Sequence, residues 1–135
     1  MMETAPIKSS ILIVEDESSL RRALVDKFTR ENFAVFEAKD GEVGLTIALE
    51  EKPDIILLDM MMPKKDGITM LHELRSENVW GKHVPVLLLT NVSSDDKRML
   101  REVADDGSVN YLVKSDWSIS MLVKRVRDAL TEIDS

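Results

Sequence analysis

A chain of 135 residues suffices for one domain with a full core, and 44% hydrophobic against 32% charged residues is the balance of a globular protein in water. The net charge of −7 excludes binding to nucleic acid through a broad basic face, though not a local basic patch. Absence of cysteine excludes a disulfide framework, a thiolate metal site and a thiol nucleophile; with no signal-peptide pattern and no apolar run of membrane-spanning length, the expectation is a cytoplasmic protein.

Residues 1–8 read as a short polar arm and 9–135 as one domain. The run Ile11-Leu12-Ile13-Val14 predicts a buried strand that ends in three acids, Glu15-Asp16-Glu17. Ser18 or Ser19 is the expected cap of a first helix, with Leu20, Ala23, Leu24 and Phe28 facing a core. Phe33 to Ala38 is a less apolar strand and is expected at a sheet edge. Asp40 caps a second helix whose inner stripe is Leu45, Ala48 and Leu49, and Pro53 closes it.

Ile55-Ile56-Leu57-Leu58 predicts a strand buried on both faces, and Asp59 follows without a break. Pro63 and Lys64-Lys65-Asp66-Gly67 are turn chemistry. Ile68 to Ser76 predicts a third helix, and Glu77 to Pro85 reads as a surface loop. Val86 to Leu89 is a fourth strand ending in Thr90-Asn91. A fourth helix starts at Ser94 or Asp95 and ends near Gly107; its few large apolar residues predict a loosely held element. Asn110 to Val113 is a fifth strand ending in Lys114-Ser115. Ser118 caps the last helix, Trp117 is placed to staple against Leu122, and Ile119, Leu122, Val123, Val126, Leu130 and Ile133 form its inner stripe.

Five strands alternating with five helices predict a doubly wound α/β domain with a parallel sheet. All strands then end on one edge, where such sheets hold ligands. Glu15, Asp16, Asp59, Thr90 and Lys114 gather there from four different strands. Each has a plainer explanation alone: acids in a first helix turn complement its dipole, and most lysines are merely solvated. Together they describe a different site. Crowded carboxylates call for a hard cation such as Mg²⁺, which commonly completes its shell with phosphate oxygens. Lysine and threonine are phosphate partners. A carboxylate can serve as nucleophile, and Asp59 at the end of the central strand is the best placed.

The chain resembles the receiver domain of bacterial two-component response regulators from about Ser9 to Ile133. The resemblance rests on Val14-Glu15-Asp16-Glu17, on Asp59-x-x-Met62-Pro63-x-x-Asp66-Gly67, on Thr90 after an apolar strand, and on Tyr111-Leu112-Val113-Lys114. It implies a flavodoxin-like sheet of order 2-1-3-4-5. Asp59 is then the phosphoacceptor, supplied by a sensor histidine kinase or a histidine phosphotransfer protein. Glu15, Asp16, Asp59 and the backbone carbonyl of Met61 hold Mg²⁺, and Thr90 and Lys114 bind the phosphoryl oxygens. Thr90 and Tyr111 form a switch pair, and the surface of the fourth helix, fifth strand and fifth helix signals to a downstream protein. On that surface the Lys124-Arg125-x-Arg127 cluster is most simply a solvated helix face, but on an acidic chain it can also pair with acidic residues of a partner or a second copy, and a monomer or weak homodimer strengthened by phosphorylation is expected.

Two departures stand out. Ser115 replaces the family's usual proline, and because a cis bond to serine costs roughly 2.5–4 kcal/mol, a trans Lys114-Ser115 peptide is expected. Asn91 replaces a usually small residue. The leading expectation is a stand-alone receiver that carries a phosphoryl signal, and two other functions compete with it. A phosphohydrolase on a related sheet places a second acid two residues after its nucleophile, and here that position is Met61. A binding module that is never phosphorylated has no use for the full set of acids, threonine and lysine.

Overall fold

A computed structural model describes residues 8–60, 62, 65–90, 109–113 and 118–133, with no side-chain description at 90, 109–113 and 132–133. Five strands form one sheet in the order β2-β1-β3-β4-β5: β1 (Ser10–Val14), β2 (Ala34–Ala38), β3 (Ile55–Asp59), β4 (Val86–Thr90) and β5 (Val109–Val113). All four pairings are parallel. The weakly apolar second strand is at an edge and the strand of Asp59 is central, as the composition predicts.

Side chains alternate between the two faces of a strand, and this divides one apolar run between two cores. Leu12, Val14, Ile56, Leu58, Val86 and Leu88 face one way. They pack under α2 (Gly41–Glu51), α3 (Gly67–Glu77) and a short α4 (Val79–His83). Ile11, Ile13, Ile55, Leu57, Leu87 and Leu89 face the other way, under α1 (Ser18–Arg30) and α5 (Ile119–Ile133). Leu24 and Phe28 of α1 and Leu122 and Val126 of α5 are fully buried there. At roughly 1.5–3 kcal/mol per large apolar side chain, these two layers supply the main drive to fold.

The helix ends are set by local polar groups. Asp40 accepts from the Val43 N–H at 2.9 Å, as expected, and Ser118 Oγ accepts from the Met121 N–H at 3.3 Å. Neither Ser18 nor Ser19 caps α1. Its N-cap is Glu17, without a side-chain cap bond, and the Ser19 hydroxyl instead donates to Glu17 Oε1 at 3.1 Å. The segment read as a loop after Glu77 contains α4. Asn78 Oδ1 accepts from the Gly81 N–H at 2.7 Å, and Arg75 Nη1 donates to the carbonyls of Gly81 and Val84. A single turn held by such bonds leaves no apolar periodicity to detect.

The helix expected after Ser94, the Trp117 staple and the Lys114-Ser115 peptide lie outside the described residues. In the basic cluster on α5, Arg127 is tied internally: it donates to the Glu31 carbonyl at 3.0 Å and pairs with the Glu31 carboxylate at 3.4 Å. No helix among the described residues is long and apolar enough to cross a membrane.

Candidate functional site

Val14 is the last residue of β1, and its register partner on β3 is Leu58. The next residue of each chain segment is therefore an acid at the same edge, Glu15 after β1 and Asp59 closing β3. Both are buried, with 2% and 3% of their surface exposed, while Asp16 is exposed. One carboxylate oxygen from each of Glu15, Asp16 and Asp59 lies within 4.8 Å of the others. On β4, Leu89 is the partner of Asp59, so Thr90 stands one residue further out at that edge. Thr90 pairs in turn with Val113, directly before Lys114, and Tyr111 pairs with Leu88. The backbone thus brings Thr90 and Tyr111 to this end of the sheet; Lys114 and Met61 lie outside the described residues.

The two ends of the segment that follows Asp59 are held together beside β3. The Met60 N–H donates to the Leu89 carbonyl at 3.0 Å, and the Gly67 N–H donates to the Met60 carbonyl at 3.0 Å. Asp66 then caps α3 by accepting from the Thr69 N–H at 2.8 Å. Gly67 is required by this close approach, since a Cβ there would stand 2.4 Å from the Asp59 carbonyl oxygen and 2.9 Å from the Met60 Cα. Gly67→Ala is expected to destabilise the fold by about 1–3 kcal/mol through overpacking. Urea denaturation checks this, and an unchanged midpoint would contradict it.

The three acids are mutually repulsive. The Glu15 carboxyl is pushed up from its ordinary 4.5 to about 8, first by burial and then by the charge of Asp59. Its contacts with Asp16 and Asp59 push the same way, and only the Glu17 N–H, 3.1 Å from Glu15 Oε2, opposes them. Among the described residues no hydrogen bond reaches the buried Glu15 Oε1. A buried carboxylate oxygen without a donor, beside two further carboxylates, is a donor set that fits a hard divalent cation.

This has a consequence for stability. A folded-state value above the unfolded one means that the folded chain holds a proton which the unfolded chain releases. Stability is fully present below about 4.5 and falls as pH rises through about 8. A cation replacing the proton removes that penalty, so Mg²⁺ is expected to raise the melting temperature more at pH 8 than at pH 5. Thermal melts at the two values, with Mg²⁺ and with chelator, measure the difference, and Glu15→Gln should erase it. An equal Mg²⁺ effect at both values would contradict the assignment of the shift to Glu15.

Arginine 21 was not among the residues singled out by the sequence. Its Nη1 donates to the Glu15 carbonyl at 2.8 Å and its Nε to Glu37 Oε1 at 3.2 Å. Nothing in its helical position signals a contact that depends on where β2 lies. Lys65 likewise pairs with Glu73 across the turn that leads into α3.

Comparison with known proteins agrees with this geometry. The family model for the response regulator receiver domain matches residues 11–127. A probable transcriptional regulator ycf27 from Porphyridium aerugineum is 38% identical over 129 residues, 94% of this chain and 50% of the relative. The transcriptional regulatory protein ResD of Bacillus subtilis is 35% identical over 123 residues, 91% of this chain and 48% of the relative. The chain spans about half the length of these curated relatives. Among solved structures, the receiver domain of the Francisella response regulator 1452 superposes with a TM-score of 0.79 at 29% identity, covering 93% of this chain and 99% of that one. Chemotaxis protein CheY4 of Vibrio cholerae gives 0.79 at 26% identity, covering 91% and 99%. The buried acidic pocket at the ends of β1 and β3 and the family match over most of the chain lead to one conclusion: the chain belongs to the response regulator receiver domains, phosphoacceptor modules of two-component signalling rather than classical enzymes.

Proposed function

We propose that this receiver takes a phosphoryl group onto Asp59 from a phosphohistidine of a sensor histidine kinase or histidine phosphotransfer protein, in a Mg²⁺-dependent step. The observation that carries the reading is the convergence of Glu15, Asp16 and Asp59 within 4.8 Å at the edge where the central strand ends. An Asp59 carboxylate oxygen attacks phosphorus in line. The P–O bond forms as the P–N bond breaks, and the electron pair leaves with the imidazole, which takes up a proton. The product is an acyl phosphate.

Glu15, Asp16, Asp59 and the Met61 carbonyl are the residues that would hold the cation. When bound, it neutralises the crowded carboxylates and the charge on the transferring oxygens. In this reading Thr90 and Lys114 bind phosphoryl oxygens, and Thr90 and Tyr111 move together to alter the surface around β5, α5 and the segment before Gly107. The chain works in the cytoplasm as a monomer or a weak dimer that phosphorylation strengthens. Its relatives are named as transcriptional regulators and are about twice its length. The net charge of −7 on this chain favours protein partners over nucleic acid.

Incubation with acetyl phosphate and Mg²⁺ is the test. One base-labile phosphoryl group per chain is expected, and none in excess chelator. Equal incorporation with chelator would overturn the cation requirement, and no incorporation with Mg²⁺ would overturn the reading.

A further inference from the structure

Arginine 21 sits in the first turns of α1, facing the end of β1. Its side chain is 19% exposed and that of its partner Glu37, on the edge strand β2, is 54% exposed. An ion pair with so exposed a member adds little to stability. The second bond of the guanidinium is of another kind. Nη1 gives a charge-assisted hydrogen bond of 2.8 Å to the Glu15 carbonyl, and such bonds are the stronger class.

The backbone of Glu15 is thereby gripped from both sides by elements of the sheet edge. Its N–H donates to the Ala38 carbonyl at the end of β2, at 3.0 Å. Its carbonyl is held by Arg21, which is itself held by Glu37 on the same strand. The Glu15 carbonyl and the Asp16 N–H belong to one rigid peptide plane. Fixing that plane fixes the direction in which Asp16 leaves β1. This matters most for Asp16 because it is the exposed member of the trio, so its place depends on the backbone that carries it.

We infer that Arg21, braced by Glu37, is a positioning residue for the cation: it acts through the Glu15 carbonyl to set where the Asp16 carboxylate stands. This rests on the function proposed above. The choice of arginine follows from its shape. A planar fork serves two acceptors in different directions at once, whereas a lysine ammonium is a single flexible point charge.

The test titrates Mg²⁺ alone into the full chain by isothermal calorimetry, for wild type, Arg21→Met, Arg21→Lys and Glu37→Gln. Acetyl phosphate reactions at graded Mg²⁺ run in parallel. Arg21→Met is expected to weaken Mg²⁺ binding by about 10-fold, the scale of lost outer-shell support. The larger part of its effect should fall on the Mg²⁺ requirement and the smaller part on the rate at saturating Mg²⁺. Arg21→Lys should recover part of the affinity, and Glu37→Gln should lose affinity in the same direction by less. Wild-type affinity in Arg21→Met overturns this inference alone. A wild-type chain that binds no Mg²⁺ overturns the proposed function and this inference with it. Should Arg21→Met fail to fold, Glu37→Gln decides, because its side chain is exposed; unchanged affinity there overturns the inference.

Discussion

Asp59→Asn is expected to take up no phosphoryl group from acetyl phosphate while keeping the fold. The amide is nearly the size of the carboxylate, so the packing of β3 against β1 and β4 is unaltered. What is lost is the nucleophilic oxygen, and no neighbour replaces it. Glu15 is buried, and with Mg²⁺ present its carboxylate is one of the groups that would hold the cation, which leaves it a poor nucleophile. Without cation the variant is expected to be more stable than wild type, since one charge of a repulsive trio is gone. Intact-mass measurement after donor treatment reads the first outcome, and a melting curve in chelator reads the second. A phosphorylated Asp59→Asn chain would move the acceptor elsewhere.

Asp16→Ala is the second large effect. Asp16 is exposed, so its removal opens no cavity and the melting temperature in chelator should not fall. Its carboxylate is one of three that converge, and two remaining carboxylates bind a divalent cation less well. If the cation contributes several kcal/mol of charge stabilisation, the phosphorylation rate at fixed Mg²⁺ should drop on the order of 10²-fold or more. High Mg²⁺ should restore part of the rate. A rate equal to wild type at low Mg²⁺ would show that Asp16 takes no part in holding the cation.

Much of this site was legible because its residues sit where strands end. Acids after Val14 and after Leu58 stand out against apolar runs, and a parallel sheet brings strand ends together whatever their separation in sequence. Asp40 was legible for a similar reason, as a single acid at the start of a helical pattern. The run Ile55 to Leu58 was legible as a strand but not as two faces, because with every position apolar only the register assigns Ile56 to one core and Leu57 to the other. Ser18 and Ser19 misled because either fits the composition of a cap, whereas the Ser19 hydroxyl donates to Glu17. The contact of Arg21 with the Glu15 carbonyl was beyond sequence. It is a bond to backbone across six residues, formed because β2 lies beside β1 and offers Glu37 as a brace. The need for glycine at 67 also belongs to tertiary structure, since it arises from the Asp59 carbonyl passing beneath the start of α3.

A phosphoryl group is expected on one particular carboxylate, that of Asp59. Borohydride reduces an acyl phosphate on aspartate to homoserine, leaving a permanent mark at the modified residue. The wild-type chain should therefore be treated with acetyl phosphate and Mg²⁺, reduced, digested and sequenced by mass spectrometry. Homoserine is expected at position 59 and at no other aspartate. Homoserine at Asp16 or Asp66 with Asp59 intact, or a chain with no mark at all, would contradict it.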